Sequence, residues 1–329
     1  MMNNTVNAIL IIGAGQIGSR HLQGLLKVSS PLNILVVDPS KESLQTAEDR
    51  ANEISHKHII KFQGDLENIP SSIDLAIIAT SANIREIVIK QLLELTSLKY
   101  LILEKVLFQR PSSYDEIPAI LDAAGVITWV NLPMRTYKHF EEIKRTLGKE
   151  NESISVSVVG GNWRIGCNAI HYLDLFEYLT NSRIQHFKTD GLDNEIFESK
   201  RAGFVEFLGS VSALSSNGSA LTLHSFPGDF SDLTVYISSS NHRFIVHDGQ
   251  QSQIIHLSSE NNFIASAKPY QPEYQSNLTG DYVNSILTTG NCHLSKLNDI
   301  VHTHKLYIEQ LLHFYNRASG SDAQICPIT

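Results

Sequence analysis

The six residues Gly13-Ala14-Gly15-Gln16-Ile17-Gly18 follow directly on the apolar run Ala8–Ile12. Glycines at this spacing after a strand suit a pyrophosphate. The first allows a tight turn, the second lets the backbone approach the phosphates, and the third lets a following helix pack on the strand. That helix is read over Gln16 to Lys27, and the N–H groups at its start face the anion. The next apolar run, Ile34–Val37, ends at Asp38, twenty residues past Gly18. A carboxylate there can accept both hydroxyls of an adenosine ribose. Gly13, Gly15, Gln16, Ile17, Gly18 and Asp38 are therefore candidate cofactor residues. Asp38 favours NAD, because a 2′-phosphate would meet its charge. Lys41, close in sequence, keeps NADP as the alternative.

Two further strand ends carry polar residues. Ala79-Thr80-Ser81 closes one apolar run, and Glu104-Lys105 closes the next. Ligands of open α/β sheets bind beyond the carboxyl ends of strands, so Thr80, Ser81, Glu104 and Lys105 are candidates for the same crevice. Glu104-Lys105 also reads as a solvated surface pair. Farther on, Cys167 and His171 lie one helical turn apart, the spacing of a nucleophile with its base. A zinc site would use these two with Asp174, but no fourth ligand has motif spacing.

These residues must be placed by elements. The runs Ala8–Ile12, Ile34–Val37, Leu75–Ala79, Tyr100–Leu103 and Ile127–Val130 suit strands buried on both faces. Between them, Ile84, Ile87, Val88, Gln91, Leu92 and Leu95 recur at helical spacing. Asn83 with Glu86, and Ser113 with Glu116, have capping-box spacing. Such alternation predicts a doubly wound parallel α/β domain over residues 1–132. Residues 133–329 read as a second domain for substrate and self-association. Ile154–Val159, Phe204–Leu208, Leu221–Phe226, Leu233–Ile237 and Arg243–His247 predict a large, mainly antiparallel open sheet with one face on helices. The final helical stretches, Asp281–Leu287 and Leu297–Tyr315, are candidates to pack back on the first domain.

Composition excludes several classes. Hydrophobic residues are 42% and charged residues 18% of the 329, which gives enough apolar side chains for a core and is unlike a disordered chain. A net charge of −8 argues against a nucleic-acid or anionic-membrane surface. No apolar run approaches the about 18 residues of a spanning helix. No basic residue precedes the first apolar run, so no signal peptide is read. Three cysteines fit a reducing compartment, and the expected location is the cytoplasm.

The chain resembles the Gfo/Idh/MocA oxidoreductases, a family named for glucose–fructose oxidoreductase and inositol dehydrogenase. The resemblance rests on motifs in the family's order over most of the chain: the dinucleotide loop, Ala79-Thr80, Glu104-Lys105, Arg135, Trp163-Arg164 and Ile170-His171-Tyr172-Leu173-Asp174. It implies a Rossmann domain followed by a sheet-rich domain, with catalysis between them. It implies that Lys105 contacts the reacting hydroxyl and that His171 moves its proton. Arg135, Trp163, Arg164, Cys167, Asn168 and Tyr172 are then candidate substrate residues. Two positions depart from the pattern. Val106 replaces a proline, which loosens the backbone there. Cys167 replaces an aspartate that would orient the imidazole, so Asn168, Tyr172 or the substrate must help. A looser resemblance, around Gly166–Phe176, is to members of bacterial surface-sugar pathways acting on nonulosonic-acid or nucleotide-activated sugars.

The expected activity is hydride transfer between NAD(P) and a secondary alcohol or ketone carbon of a sugar derivative. Two alternatives share the fold: a dinucleotide-binding regulator without catalysis, and a redox-neutral epimerase or glycosidase. No metal is expected. The serine-rich sheet, with ten serines and no Lys or Arg between Gly209 and Ser240, is the expected homodimer or homotetramer surface.

Overall fold

The computed structural model describes residues 6–148 and 152–329 as two compact units. The first unit contains residues up to Phe108, Ser112–Pro133 and Glu273–Asp299, and the second holds the remainder.

In the first unit, strands and helices alternate as the apolar runs require. They are β1 (Asn7–Ile12), α1 (Gln16–Leu25), β2 (Leu32–Val37), α2 (Lys41–Asn52), β3 (Ile59–Gln63), β4 (Ser72–Ile78), α3 (Ala82–Leu95), β5 (Ser97–Leu103), α4 (Ser113–Ala123) and β6 (Ile127–Val130). β1 to β6 pair in parallel in the order β6-β5-β4-β1-β2-β3. Leu10, Ile11, Leu75, Ala76, Ile77, Leu101 and Ile102 are fully buried, as expected of central strands covered on both sides.

The helix expected around residues 84–95 exists, but its buried face is rotated and retains Leu92 of the expected stripe. Ile84, Ile87 and Leu95 are exposed, whereas Ala82, Arg85, Ile89 and Leu92 face inward. Periodicity selected the more apolar stripe, and tertiary contacts to Arg85 selected the other. Neither capping box forms. α3 and α4 begin after Ser81 and Ser112 without a side-chain cap, and the Ser113 hydroxyl donates instead to Glu86.

The second unit opens with α5 (Lys138–Leu147), β7 (Ser155–Gly161) and α6 (Ile165–Thr180). It continues through β8 (Ile184–Leu192), β9 (Phe197–Glu198), β10 (Val205–Glu206), β11 (Gly209–Ser215), β12 (Ala220–Phe226), β13 (Leu233–Ser238), β14 (His242–Asp248), β15 (Gln253–Ser258) and β16 (Ser266–Pro269). The chain then forms α7 (Gln275–Thr289) and β17 (Ser295–Lys296) of the first unit, where β17 adds antiparallel to β6. It ends in α8 (Leu297–Ser319), which belongs to the second unit from Ile300 onward.

The eight-stranded sheet has the order β16-β15-β14-β13-β7-β12-β11-β8 and is antiparallel except for the β7–β12 pair. The strand expected over Phe204–Leu208 shrinks to Val205–Glu206, because Gly209 at φ +95° turns the chain into β11. Period-2 alternation divides the sheet. Val156, Val158, Leu221, Leu223, Val235 and Ile237 are buried on one face. Among the described residues, no helix is long and apolar enough to cross a membrane.

One buried histidine gives this unit a pH dependence. His139 on α5 lies 4.3 Å from the Tyr270 ring and lines a cavity of about 250 Å³ with Phe244 and His256. Burial lowers its pKa from 6.5 to about 4. The unfolded chain therefore takes up a proton at a pH where the folded chain does not. Stability is full above about 6.5 and declines as pH falls towards about 4. His139→Phe is expected to reduce that decline in thermal melts between these two values. His256 shifts in the same direction and retains part of it.

Candidate functional site

The dinucleotide loop has the features its glycines predict. Gly13 takes φ +96°, and a Cβ there would sit 2.9 Å from the Ala79 carbonyl carbon. A Cβ on Gly18 would lie 1.8 Å from Gly13 O, so a side chain at either position would collide with backbone. At Gly15 a Cβ would meet nothing within 4 Å, which leaves open space over the helix start. No side chain caps α1, and no acidic residue lies in its first turn. Its first N–H groups and dipole are thus directed to an external anion. The Thr80 hydroxyl oxygen, buried at the adjacent strand end, has no hydrogen-bond partner among the described residues. Open space at Gly15, uncapped N–H groups and this oxygen fit a dinucleotide.

Asp38 is anchored more firmly than spacing alone implies. Oδ2 accepts from Ala14 N at 2.7 Å and Oδ1 from Ser40 N at 2.8 Å. Each oxygen keeps a second lone pair for a ribose hydroxyl. The loop also has a cation that the sequence reading missed. Arg50 on α2 donates from Nη2 to Gln16 Oε1 at 2.8 Å and from Nη1 to the Ser19 hydroxyl. Its separation of 34 residues from Gln16 hides it from any motif. By calorimetry, NAD is expected to bind more tightly than NADP, since a 2′-phosphate at the ribose position would meet the Asp38 carboxylate. A tenfold preference for NADP, about 1.4 kcal/mol, would contradict this role.

Glu104 is buried at the carboxyl end of β5, and the reading as a solvated pair fails for it. Its Oε1 accepts from His21 Nε2 at 2.9 Å and from Asn131 Nδ2 at 2.5 Å. His21 Nδ1 lies 2.9 Å from the Thr279 hydroxyl, and Asn131 Nδ2 also donates to Gln275 Oε1 at 2.8 Å. Burial raises the Glu104 pKa, but the hydrogen bonds from His21 and Asn131 and the charge of Lys105 outweigh it, bringing it down to about 2. The carboxylate is therefore ionised and held by α1, α7 and the end of β6. Lys105 follows it, half-buried, and the Lys105–Val106 peptide is cis.

In the second unit, His171 is half-buried in α6 with Cys167 one turn before it. α6 starts after Arg164, a non-glycine residue at φ +68°. Asn168 is engaged with the backbone at the start of this helix. Its Nδ2 donates to Trp163 O at 2.7 Å and fixes the turn into the helix. Trp163 is a correction to the sequence reading. It is 1% exposed, donates from Nε1 to His224 O at 2.7 Å, and meets the Tyr172 ring edge-on at 78°. It packs the core and cannot present a face to a sugar. Tyr172 is equally buried, and that burial pushes its phenol well above the usual range. Arg135 is engaged by Asp174, with Nε and Nη2 each donating at 2.9 Å to the fully buried carboxylate. Asp174 is thus an arginine partner, not a third metal ligand. Arg164 and Cys167 remain partly exposed.

The sequence reading also missed Glu206 on β10. It is 5% exposed, and its Oε2 accepts from Cys167 N at 3.3 Å. A Cβ on Gly166 would come within 2.9 Å of that oxygen. A negative charge here complements the N-terminus of α6, which has no acid in its own first turn. Its distance of 39 residues from Cys167 gave no local signal.

Comparison with known proteins places this arrangement. Residues 8–132 match the Gfo/Idh/MocA model, an oxidoreductase family with an NAD-binding Rossmann fold. No curated protein sequence matches the chain. Among solved structures, an oxidoreductase from Agrobacterium radiobacter in complex with NAD+, L-tartaric acid and magnesium is 14% identical, with TM-score 0.70 over 93% of this chain and 95% of that one. UDP-N-acetylglucosamine 3-dehydrogenase from Acidithiobacillus ferrooxidans is 11% identical, with TM-score 0.69 over 97% and 99%. The transcriptional regulator Gal80p from Kluyveromyces lactis is 15% identical, with TM-score 0.72 over 96% and 94%. At these identities the structural likenesses establish the fold. Over residues 8–132 the chain is thus similar to the NAD-binding Rossmann domain of the Gfo/Idh/MocA oxidoreductases.

Proposed function

We propose that the protein is a cytoplasmic NAD-dependent dehydrogenase or reductase acting on a CH–OH carbon of a sugar or nucleotide-activated sugar. The carrying observation is Lys105. It follows a buried, ionised Glu104 at the carboxyl end of a central strand, in the unit that bears the dinucleotide loop. Bound NAD supplies a hydride acceptor. Lys105 holds the substrate oxygen and stabilises the negative charge it gains as its proton leaves. His171 takes that proton. Arg164, Cys167 and Asn168 belong to the same helix start and would orient the substrate. Arg135 would act on it through or beside its pair with Asp174. The likeness to a UDP-sugar 3-dehydrogenase supports a nucleotide-sugar substrate, as a surface-polysaccharide role would require. The test is a panel of UDP- and CMP-sugars with NAD, followed by absorbance of reduced nicotinamide. Absence of turnover on the panel, with NAD bound, would overturn the sugar assignment. Conversion of sugar without net NADH would indicate the redox-neutral variant.

A regulator reading has one observation of its own. Residue 167 carries a thiol where an orienting carboxylate is expected, and the Gal80p fold is similar. Such a protein would bind NAD and never turn over.

Self-association through the second sheet is part of the proposal. On the face opposite the buried alternation, Leu214, Phe226 and Tyr236 are exposed among serines and threonines. Uncharged exposed strands of this size suit an isologous contact. Light scattering is expected to give a multiple of 36.7 kDa, and Tyr236→Asp to shift it towards the monomer. A wild-type monomer at micromolar concentration would contradict this.

A further inference from the structure

The segment that follows β5 is held by a charged side chain which the hydrophobic pattern of α3 conceals. Arg85 is 1% exposed. Its Nη2 donates to Thr80 O, and its Nη1 donates to Val106 O and, at 2.8 Å, to Leu107 O. All three carbonyls lie past Ile78 and Leu103, the last paired residues of β4 and β5. The strand ladder therefore does not use them.

Burying a guanidinium carries a large desolvation penalty, and an apolar side chain at this inward position would avoid it. Charge-assisted bonds to loop carbonyls offset that penalty. A planar fork can also do what an ammonium cannot, which is to span two chain segments in fixed geometry. One segment carries Thr80 and Ser81, and the other carries Lys105. Lys105 is thus bracketed. The residue before it is pinned through Glu104 by His21 and Asn131, and the carbonyls of the two residues after it are pinned by Arg85.

We propose that Arg85 is a positioning residue that ties the loop after β4 to the loop after β5 and so fixes where the Lys105 ammonium is held. The inference rests on the reading of Lys105 as a catalytic residue only for its effect on turnover. The placement of Lys105 can be measured without any substrate.

The experiment uses the full chain with Arg85→Ala and Arg85→Lys. Acylation of Lys105 by acetic anhydride is quantified by mass spectrometry against the exposed Lys57. NAD affinity is measured by calorimetry. In Arg85→Ala the relative acylation rate of Lys105 is expected to change by about threefold or more, with NAD affinity altered by less. Guanidinium chloride at low, non-denaturing concentration should refill the vacated space and return the rate towards wild type. Arg85→Lys keeps the charge but lacks the fork, so it should show the altered rate with no rescue. If Arg85→Ala does not fold, Arg85→Lys carries the test through its acylation rate alone. An unchanged Lys105 rate in a folded variant would overturn the proposal, as would a change that guanidinium does not reverse in Arg85→Ala. With an active substrate, kcat should fall and recover in parallel, with the KM for NAD nearly constant. Should the acylation rate respond while neither Arg85→Ala nor Lys105→Met alters kcat, the positioning role stands and the catalytic reading of Lys105 falls.

Discussion

Lys105→Met is expected to lower kcat by about a hundredfold or more while leaving NAD affinity within a few fold. Methionine keeps the length and apolar stem and removes only the ammonium. An ammonium beside a forming alkoxide interacts more strongly as charge develops than with the neutral hydroxyl, so its loss falls on the transition state. The dinucleotide loop, Asp38 and Arg50 do not depend on it. Glu104 gains part of its low pKa from the Lys105 charge, but its hydrogen bonds from His21 and Asn131 remain in the variant. Steady-state kinetics and calorimetry on the same preparation check both halves. A variant with near-normal kcat would remove Lys105 from the chemistry. A variant that has lost NAD binding as well would show that its role is in holding the cofactor.

The second large effect concerns His171. Oxidation of an alcohol requires a base, so the oxidation rate should rise with pH through the ionisation of that base. His171→Ala is expected to lower kcat and flatten the profile. Cys167→Asp adds a carboxylate one turn before the imidazole and should move the inflection to higher pH, because a neighbouring negative charge favours imidazolium. The structure adds a condition. Glu206 Oε2 already lies 3.3 Å from Cys167 N, so a new carboxylate at 167 would have a like charge close by. One of the two would then be easier to protonate, which weakens the effect. The upward shift should therefore be larger in Cys167→Asp with Glu206→Gln than in Cys167→Asp alone. If His171→Ala preserves both rate and profile on the true substrate, the proton is moved by another group.

The dinucleotide loop was legible because everything that fixes it is local. A strand, three glycines and an acid closing the next strand all lie in the short stretch between Asn7, where β1 starts, and Asp38. Steric exclusion at Gly13 and Gly18 comes from the loop itself and from the neighbouring strand end at Ala79. The alternation of buried strands with helices was equally legible, since strands covered on both faces are written as apolar runs. The fold class, the likeness to an NAD-binding domain and the order of the motifs all follow from such local signals.

Partners distant in sequence left no such trace. His21 meets Glu104 across 83 residues and Thr279 across 258. Glu206 reaches Cys167 from a two-residue strand that periodicity overstated. Trp163 looked suited to a sugar face, but its indole N–H is spent on a backbone carbonyl in the core. Arg85 is the plainest case. A hydrophobic-periodicity rule assigns arginine to the solvent side and isoleucine to the core, and on α3 the structure does the reverse at residues 84, 85 and 87. The rule counts apolar area, whereas the buried position is decided by carbonyls of Thr80, Val106 and Leu107 that need donors once the chain has left its strands. That need exists only after the sheet has formed. The sequence alone determined which elements form and the shape of the glycine loop proposed to hold a dinucleotide. The tertiary structure decided which polar side chains are spent on holding the loop that carries Lys105 and which are left to face a ligand.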